Sequence, residues 1–353
     1  MKIFWIAGEP SGDLQASALL RAFAEEHPQI IHEGWGGQEM KNAGMKLLHD
    51  LTSQPLMGYV EVLKKASTIV KQLQKVKDQI LSFQPSVVVL VDYAGFNLKI
   101  AKWAHAKGMK VVYFIPPKMW AWKENRLKPL MRYSDEVLTI LPFEQQWFHH
   151  RGYSSPYVGN PLMERYRGLN LFKEGSKKIA LLPGSRMQEV RRLLPVFAQL
   201  SIELPEFEFH IVRAPSVRKN WPALDLPGNV HVYDAPIKTV VQDAEFALTC
   251  SGTASLEIAL LGVPQAVVYK ANPLSLAIAK MLVKVRFFSL PNLVLDREMV
   301  PELLQGDVNM LSLKKIITSE AKAQLKDIEL LKERMDSVNL RTAALPRILA
   351  LMK

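Results

Sequence analysis

The sequence predicts an α/β protein built from two doubly wound domains, each a parallel sheet covered by helices. Its 353 residues exceed one ordinary core of about 100–150 residues and suit two. Short, nearly all-apolar runs alternate with helix-period segments, as expected of parallel strands buried on both faces. With 48% apolar and 22% charged residues and no low-complexity tract, disordered and fibrous classes fall away.

The first series opens with the strand KIFWIAG and a helix over Leu14–Glu25. Apolar residues then recur at helical spacing from Tyr59 to Ile80, before the strand SVVVLVD and a helix over Phe96–Ala106. KVVYFIP, EVLTIL and a helix over Phe143–Arg151 complete it. A second series starts at KKIALLPG and continues through EFHIV, NVHVY, EFALTCSG and PQAVVY. Between them Val158–Ser176 has turn residues and no sustained apolar period, which places the linker there and the domains at 1–165 and 166–335. Arg334–Lys353 reads as a closing helix, with Pro346 near its start or at a kink, and its last part, 336–353, can pack back on the N-terminal domain.

The net charge is +11, and Leu56–Arg132 alone holds 14 basic and four acidic residues, so one region of the first domain should face something anionic. The single cysteine, Cys250, excludes intrachain disulfides and thiolate metal clusters and fits a reducing cytoplasm. The apolar run Ile3–Ala7 is too short for an export signal. Phe246–Tyr269 is broken by Glu257, two glycines and Pro264, so membrane association is expected to be peripheral.

Ligands of doubly wound sheets sit beyond the carboxyl ends of strands, and four such ends stand out. In Ala7–Asp13, either Gly8 and Gly12 admit a close ligand, or Ser11 or Asp13 simply caps the next helix. Asp92 ends an apolar strand, as a general base or as a cap for the helix near Phe96. Gly184, Ser185 and Arg186 form a pyrophosphate seat or a plain turn with a solvated arginine. Ser251, Gly252 and Thr253 suit phosphate oxygens and Glu257 suits ribose hydroxyls, or the segment is an ordinary cap. Two phosphate seats in one domain point to a diphosphate nucleotide. No D-x-D, HExxH or GxSxG occurs and the eight histidines lack ligand spacing, so no metal or other cofactor is expected. Arginine and helix termini would then neutralise the leaving diphosphate.

In order along residues 3 to about 305, GEPSGD, MGYVEVL (Met57–Leu63), VDYAGFN, WAW (Trp120–Trp122), LPFE (Leu141–Glu144), VGNP (Val158–Pro161), LLPGSR, SGTASLE, SLPNLVL (Ser289–Leu295) and VPELLQ occur. Together they resemble the lipid-A-disaccharide synthases, glycosyltransferases of the GT-B fold, in which two Rossmann-like domains face each other across a cleft. The resemblance implies an inverting hexosyltransferase that joins UDP-2,3-diacylglucosamine to 2,3-diacylglucosamine 1-phosphate. Its products would be a β-1,6-linked disaccharide 1-phosphate and UDP, made at the cytoplasmic face of the inner membrane of a Gram-negative bacterium.

On the same basis Asp92 is the catalytic carboxylate, and Arg186 and Asn292 are polar donor-site residues. Gly184, Ser185, Ser251, Gly252, Thr253 and Glu257 cradle UDP. Glu9, Ser11, Gly12, Asp13 and Asn97 line the acceptor side. Gly95 stands where many members carry a second carboxylate, and Asn160 where many carry histidine. Leu56 and Met57, with Lys64, Lys65, Lys71 and Lys75, are expected to meet anionic inner-membrane lipids, the rival being an ordinary surface helix packed on its own sheet. An oligomer is compatible with this reading. A UDP-GlcNAc 2-epimerase-like isomerase is one alternative. A basic nucleic-acid binder is another, against which no RNP, KH or zinc-finger pattern occurs.

Overall fold

The structure is a computed structural model and describes residues 1–52, 66–250, 252–272, 285–319 and 321–353. The chain divides into two compact units, Met1–Arg165 with Met335–Lys353, and Tyr166–Arg334.

The first unit holds β1 (Lys2–Ala7), β2 (Ile31–Gly36), β3 (Lys46–Asp50), β4 (Val87–Val91), β5 (Lys110–Phe114) and β6 (Glu136–Leu138). They are parallel and lie in the order β3-β2-β1-β4-β5-β6. Val87–Val91 is buried along its whole length because helices cover both faces, which is why the strand carries no polar alternation. Phe4, Ile6, Val88, Leu90, Val111 and Tyr113 of the sheet pack with Phe96, Ile100 and Ala104 of the helix Ala94–Ala106. β2 escapes the sequence pattern because His32 and Glu33 interrupt its apolar run. His32 is buried, accepts the Trp5 indole N–H at 3.1 Å, and burial pushes its pKa down to about 4.

The second unit repeats the plan with β7 (Lys178–Leu182), β8 (Glu208–Val212), β9 (Val230–Tyr233), β10 (Phe246–Thr249), β11 (Gln265–Tyr269) and β12 (Glu302–Leu304), in the order β12-β11-β10-β7-β8-β9. Its core joins Ile179, Leu181, Phe209, Ile211, Phe246 and Leu248 to Val190, Leu194 and Phe197 of the helix Met187–Glu203.

Two helices differ from the sequence reading. The closing segment is broken: Ala321–Met335 ends where the chain passes back to the first unit, and a new helix, Leu340–Ala350, is capped by Asn339, whose side chain accepts the N–H of Arg341 at 2.9 Å. Pro346 lies inside this second helix rather than at its start. Of the amphipathic stretch, Ala66–Phe83 is helical, while Tyr59–Lys65 lies outside the described residues. Its apolar stripe is used on the first unit's own core, where Val76 and Ile80 are fully buried and Ile69 and Leu73 partly so, leaving Lys71 and Lys75 exposed. Leu56, Met57, Lys64 and Lys65 lie outside the described residues. No helix among the described residues is long and apolar enough to cross a membrane.

Candidate active site

In each unit the strand order reverses beside the first strand, between β1 and β4 and between β7 and β10. A doubly wound sheet opens a ligand crevice beyond its carboxyl ends at that switch point. All four motifs singled out from the sequence follow these four strands. Ala7 pairs with Val91, so Gly8 and Asp92 emerge side by side. Leu182 pairs with Thr249 and accepts the Cys250 N–H at 2.9 Å, so the turns after β7 and β10 also adjoin.

Asp92 is half-buried and, like Tyr93, sits in the left-handed region, with φ of 44° and 48°. Such conformations cost about 1–3 kcal/mol each and persist where the surroundings impose them. Here the Asp92 N–H donates to the Ile115 carbonyl at 3.1 Å. The Asp92 carbonyl accepts from the Tyr113 hydroxyl at 2.6 Å and from Asn97 Nδ2 at 3.0 Å. Burial pushes the carboxyl up to about 7; the negative charge of Glu9 adds to the rise, while Lys118 and Arg126 oppose it. A carboxylate that titrates near neutrality is matched to removing a proton from a hydroxyl.

The other first-unit residues divide. Glu9 is exposed and acts on Asp92 through its charge, and Ser11 is half-buried in the first turn of the helix Pro10–Glu26. Asp13, expected on the acceptor side or as a helix cap, is engaged in capping bonds. It is buried, its Oδ1 accepts the N–H groups of Gly37 at 2.8 Å and Met40 at 3.0 Å, and Oδ2 accepts that of Glu39 at 3.1 Å. It therefore caps the helix Gln38–Asn42, not its own. Gly12 is buried against Val91, and Asn97 is fully buried, its Nδ2 donating to the carbonyls of Ile6, Val91 and Asp92. Gly8 is needed for the Tyr93 ring, which a Cβ there would meet at 2.2 Å. Asn160 is also buried in structural bonds, to the Ile140 carbonyl and the Leu162 N–H.

In the second unit, Gly184 has φ of 107°, and the Glu189 carboxylate fills the place of its missing side chain, 2.3 Å from an added Cβ. Glu189 Oε2 accepts the Arg186 N–H at 3.2 Å, and Oε1 lies 3.3 Å from the guanidinium. Ser185 and Arg186 are exposed at the start of the helix Met187–Glu203, and the Ser185 carbonyl accepts from Ser216 Oγ at 2.6 Å. Gly252, with φ of 108° and open space beside it, and Thr253 begin the helix Thr253–Leu260; Ser251 lies outside the described residues. Glu257 is buried and accepts the Tyr166 hydroxyl at 2.6 Å, so any ribose would share it with that tyrosine.

Asn292, expected in the donor site, lies inside the second unit. It is fully buried: Nδ2 donates to the Val300 carbonyl at 2.8 Å and to Glu302 Oε1 at 3.0 Å, while Oδ1 accepts the N–H groups of Met299 and Val300. Glu302 in turn accepts the N–H groups of Phe288 and Ser289, so the pair shapes the chain before the helix Leu290–Leu295. Sequence reasoning gave Glu302 no role although VPELLQ contains it. Glu144 was passed over in the same way within LPFE. It is buried, bonded at 2.9 Å by the Trp120 indole N–H, and burial pushes it up to about 7.

Two parallel six-stranded sheets of matching order, one in each unit, define a fold of the GT-B class. The fold is shared with the kitacinnamycin glycotransferase (TM-score 0.69, 14% identity, covering 100% of this chain and 99% of that one). It is shared too with UDP-GlcNAc 2-epimerase from Neisseria meningitidis (TM-score 0.65, 14% identity, 100% of each chain). The family model for lipid-A-disaccharide synthetase matches residues 3–348. The lipid-A-disaccharide synthase of Syntrophus aciditrophicus (strain SB) is 36% identical over 322 residues, 86% of this chain and 84% of its own length. Lipid-A-disaccharide synthase 1 of Legionella pneumophila (strain Philadelphia 1) is 31% identical over 367 residues, 95% and 94% of the two chains. The chain belongs to the lipid-A-disaccharide synthase family and is a glycosyltransferase of lipid A biosynthesis.

Proposed function

We propose that the protein transfers a diacylglucosaminyl group from UDP-2,3-diacylglucosamine to the 6-hydroxyl of 2,3-diacylglucosamine 1-phosphate. The Asp92 carboxylate takes the hydroxyl proton as its oxygen bonds to the anomeric carbon. The bond from that carbon to the diphosphate breaks on the opposite side, UDP leaves with the electron pair, and the configuration inverts. Asp92 at the end of β4, held near neutrality by burial and Glu9, is the observation that carries the reading. Arg186 and the N–H groups around Gly184 and Gly252–Thr253 supply the positive field the leaving diphosphate needs, with no metal.

The insoluble acyl chains of both substrates support peripheral work at the cytoplasmic face of the inner membrane, and the exposed Lys71 and Lys75 support attraction to its anionic lipids. Mass spectrometry of a reaction holding both sugars is the test: a disaccharide 1-phosphate formed in step with UDP is expected. UDP released without an acceptor, or an isomerised UDP-sugar, would refute the transfer and favour the isomerase.

A further inference from the structure

We infer that Lys118 and Arg126, set beside Trp122 on the segment after β5, form the subsite for the phosphate monoester of the acceptor sugar. The inference rests on the transferase reading above and names the anchor by which that acceptor is held.

The segment is tied to the base. Ile115, whose carbonyl holds the Asp92 N–H, is itself left-handed, with φ of 63°, and turns the chain directly into Pro116-Pro117-Lys118. The N–H groups of Ala121 and Trp122 both donate to the Lys118 carbonyl, at 3.1 and 3.3 Å, closing a turn. Trp120 points inward from that turn, fastened by Glu144 and packed edge-on against Phe143 with ring centroids 5.1 Å apart. Trp122 points outward and is 37% exposed. Lys123, left-handed at φ of 56°, then reverses the chain so that the Arg126 N–H meets the Lys123 carbonyl at 3.0 Å. The Lys123 ammonium and the Arg126 guanidinium come to 4.4 and 5.6 Å from the Trp122 ring centroid.

The shelf carries Lys118, Lys123 and Arg126 beside Glu124. Glu124, its own acid, is paired with Arg151 at 2.6 Å. Among the described residues, no ion pair engages Lys118 or Arg126, although both charges are felt at Asp92. Like cations gathered on a surface repel one another, and a dianion relieves that repulsion. A guanidinium fork matches a phosphate in two parallel hydrogen bonds, and an exposed indole suits the apolar C–H face of a sugar ring. The acceptor carries its phosphate on C1 and its nucleophile on C6. Its anchor must therefore stand apart from the base while remaining in the same field, as Lys118 and Arg126 do. Asp13, Gly12 and Asn97, by contrast, are buried inside the fold.

The test compares diacylglucosamine 1-phosphate with the same lipid lacking the phosphate, both in neutral detergent micelles, for the parent, Arg126→Ala and Lys118→Ala. The parent should prefer the phosphorylated acceptor. In each variant the ratio of kcat/KM between the two acceptors should fall about ten- to a hundredfold, mostly in KM, as for loss of a charge-assisted hydrogen bond. The KM for the UDP-sugar should not move. Equal losses with both acceptors would overturn the inference, since the cations would then act only through their field at Asp92. It would also be overturned if selectivity were kept and only binding to anionic vesicles were lost, which would make the shelf a site for membrane headgroups. A parent enzyme silent with both acceptors would instead refute the transferase reading on which the subsite depends.

Discussion

Replacing Asp92 by asparagine removes one proton acceptor at almost constant volume, and the structure sets what this should do at each pH. With its pKa at about 7, Asp92 is about one-tenth ionised at pH 6 and nine-tenths at pH 8, so kcat/KM should rise about tenfold across that interval if Asp92 is the general base. Asp92→Asn should lower turnover by about 10²–10⁴-fold and flatten the rise, with UDP affinity unchanged because the turns proposed for UDP belong to the other unit. Glu9→Gln should move the midpoint toward acid and shrink the ratio of rates at pH 8 and pH 6, since the charge it deletes favours protonated Asp92. Stability should move oppositely to activity. The native pKa lies above that of an unfolded aspartate, so ionisation costs the folded state, and the parent loses stability as pH rises through about 7. The asparagine variant is spared that loss, and its Tm advantage should grow from pH 6 to pH 8. Continuous UDP-release assays, calorimetry with UDP and thermal melts cover these points. Parent-like turnover in Asp92→Asn, or an unaltered pH profile, would refute the assignment.

Arg186→Ala should weaken UDP binding and slow turnover together if Arg186 meets the diphosphate as proposed, because that charge grows as the glycosidic bond breaks; isothermal titration and steady-state rates measure both. Asp13→Ala should cost roughly 3 kcal/mol or more by stranding the N–H groups of Gly37, Glu39 and Met40, and Asp13→Asn should cost less, as denaturant melts will show. Activity should persist in excess EDTA, and loss restored by Mg²⁺ would mean that a metal neutralises the diphosphate. Charge reversal at Lys71 and Lys75 should reduce sedimentation with anionic liposomes and its steep salt dependence while leaving UDP affinity intact.

By itself the sequence determined the α/β class, since apolar runs such as SVVVLVD can be satisfied only by strands covered on both faces. It also marked the turns after β1, β4, β7 and β10, because glycine, hydroxyl and charged residues concentrate where a parallel strand gives way to a helix. It was weaker where strands are polar or short: β2, β3 and β12 show too little apolar period to register. Which polar residue does what was decided by tertiary structure. Asp13 and Glu9 stand four positions apart in one motif, yet three backbone N–H groups from the region after β2 claim the first and leave the second exposed. The partners of the Asn292 amide, Glu302, Met299 and Val300, are set by the fold of the second unit. Tyr113, whose hydroxyl steadies Asp92, is one apolar-strand letter in KVVYF. Such roles depend on partners far away in the chain, and burial, which sets both their satisfaction and the pKa of Asp92, exists only once the sheets have formed.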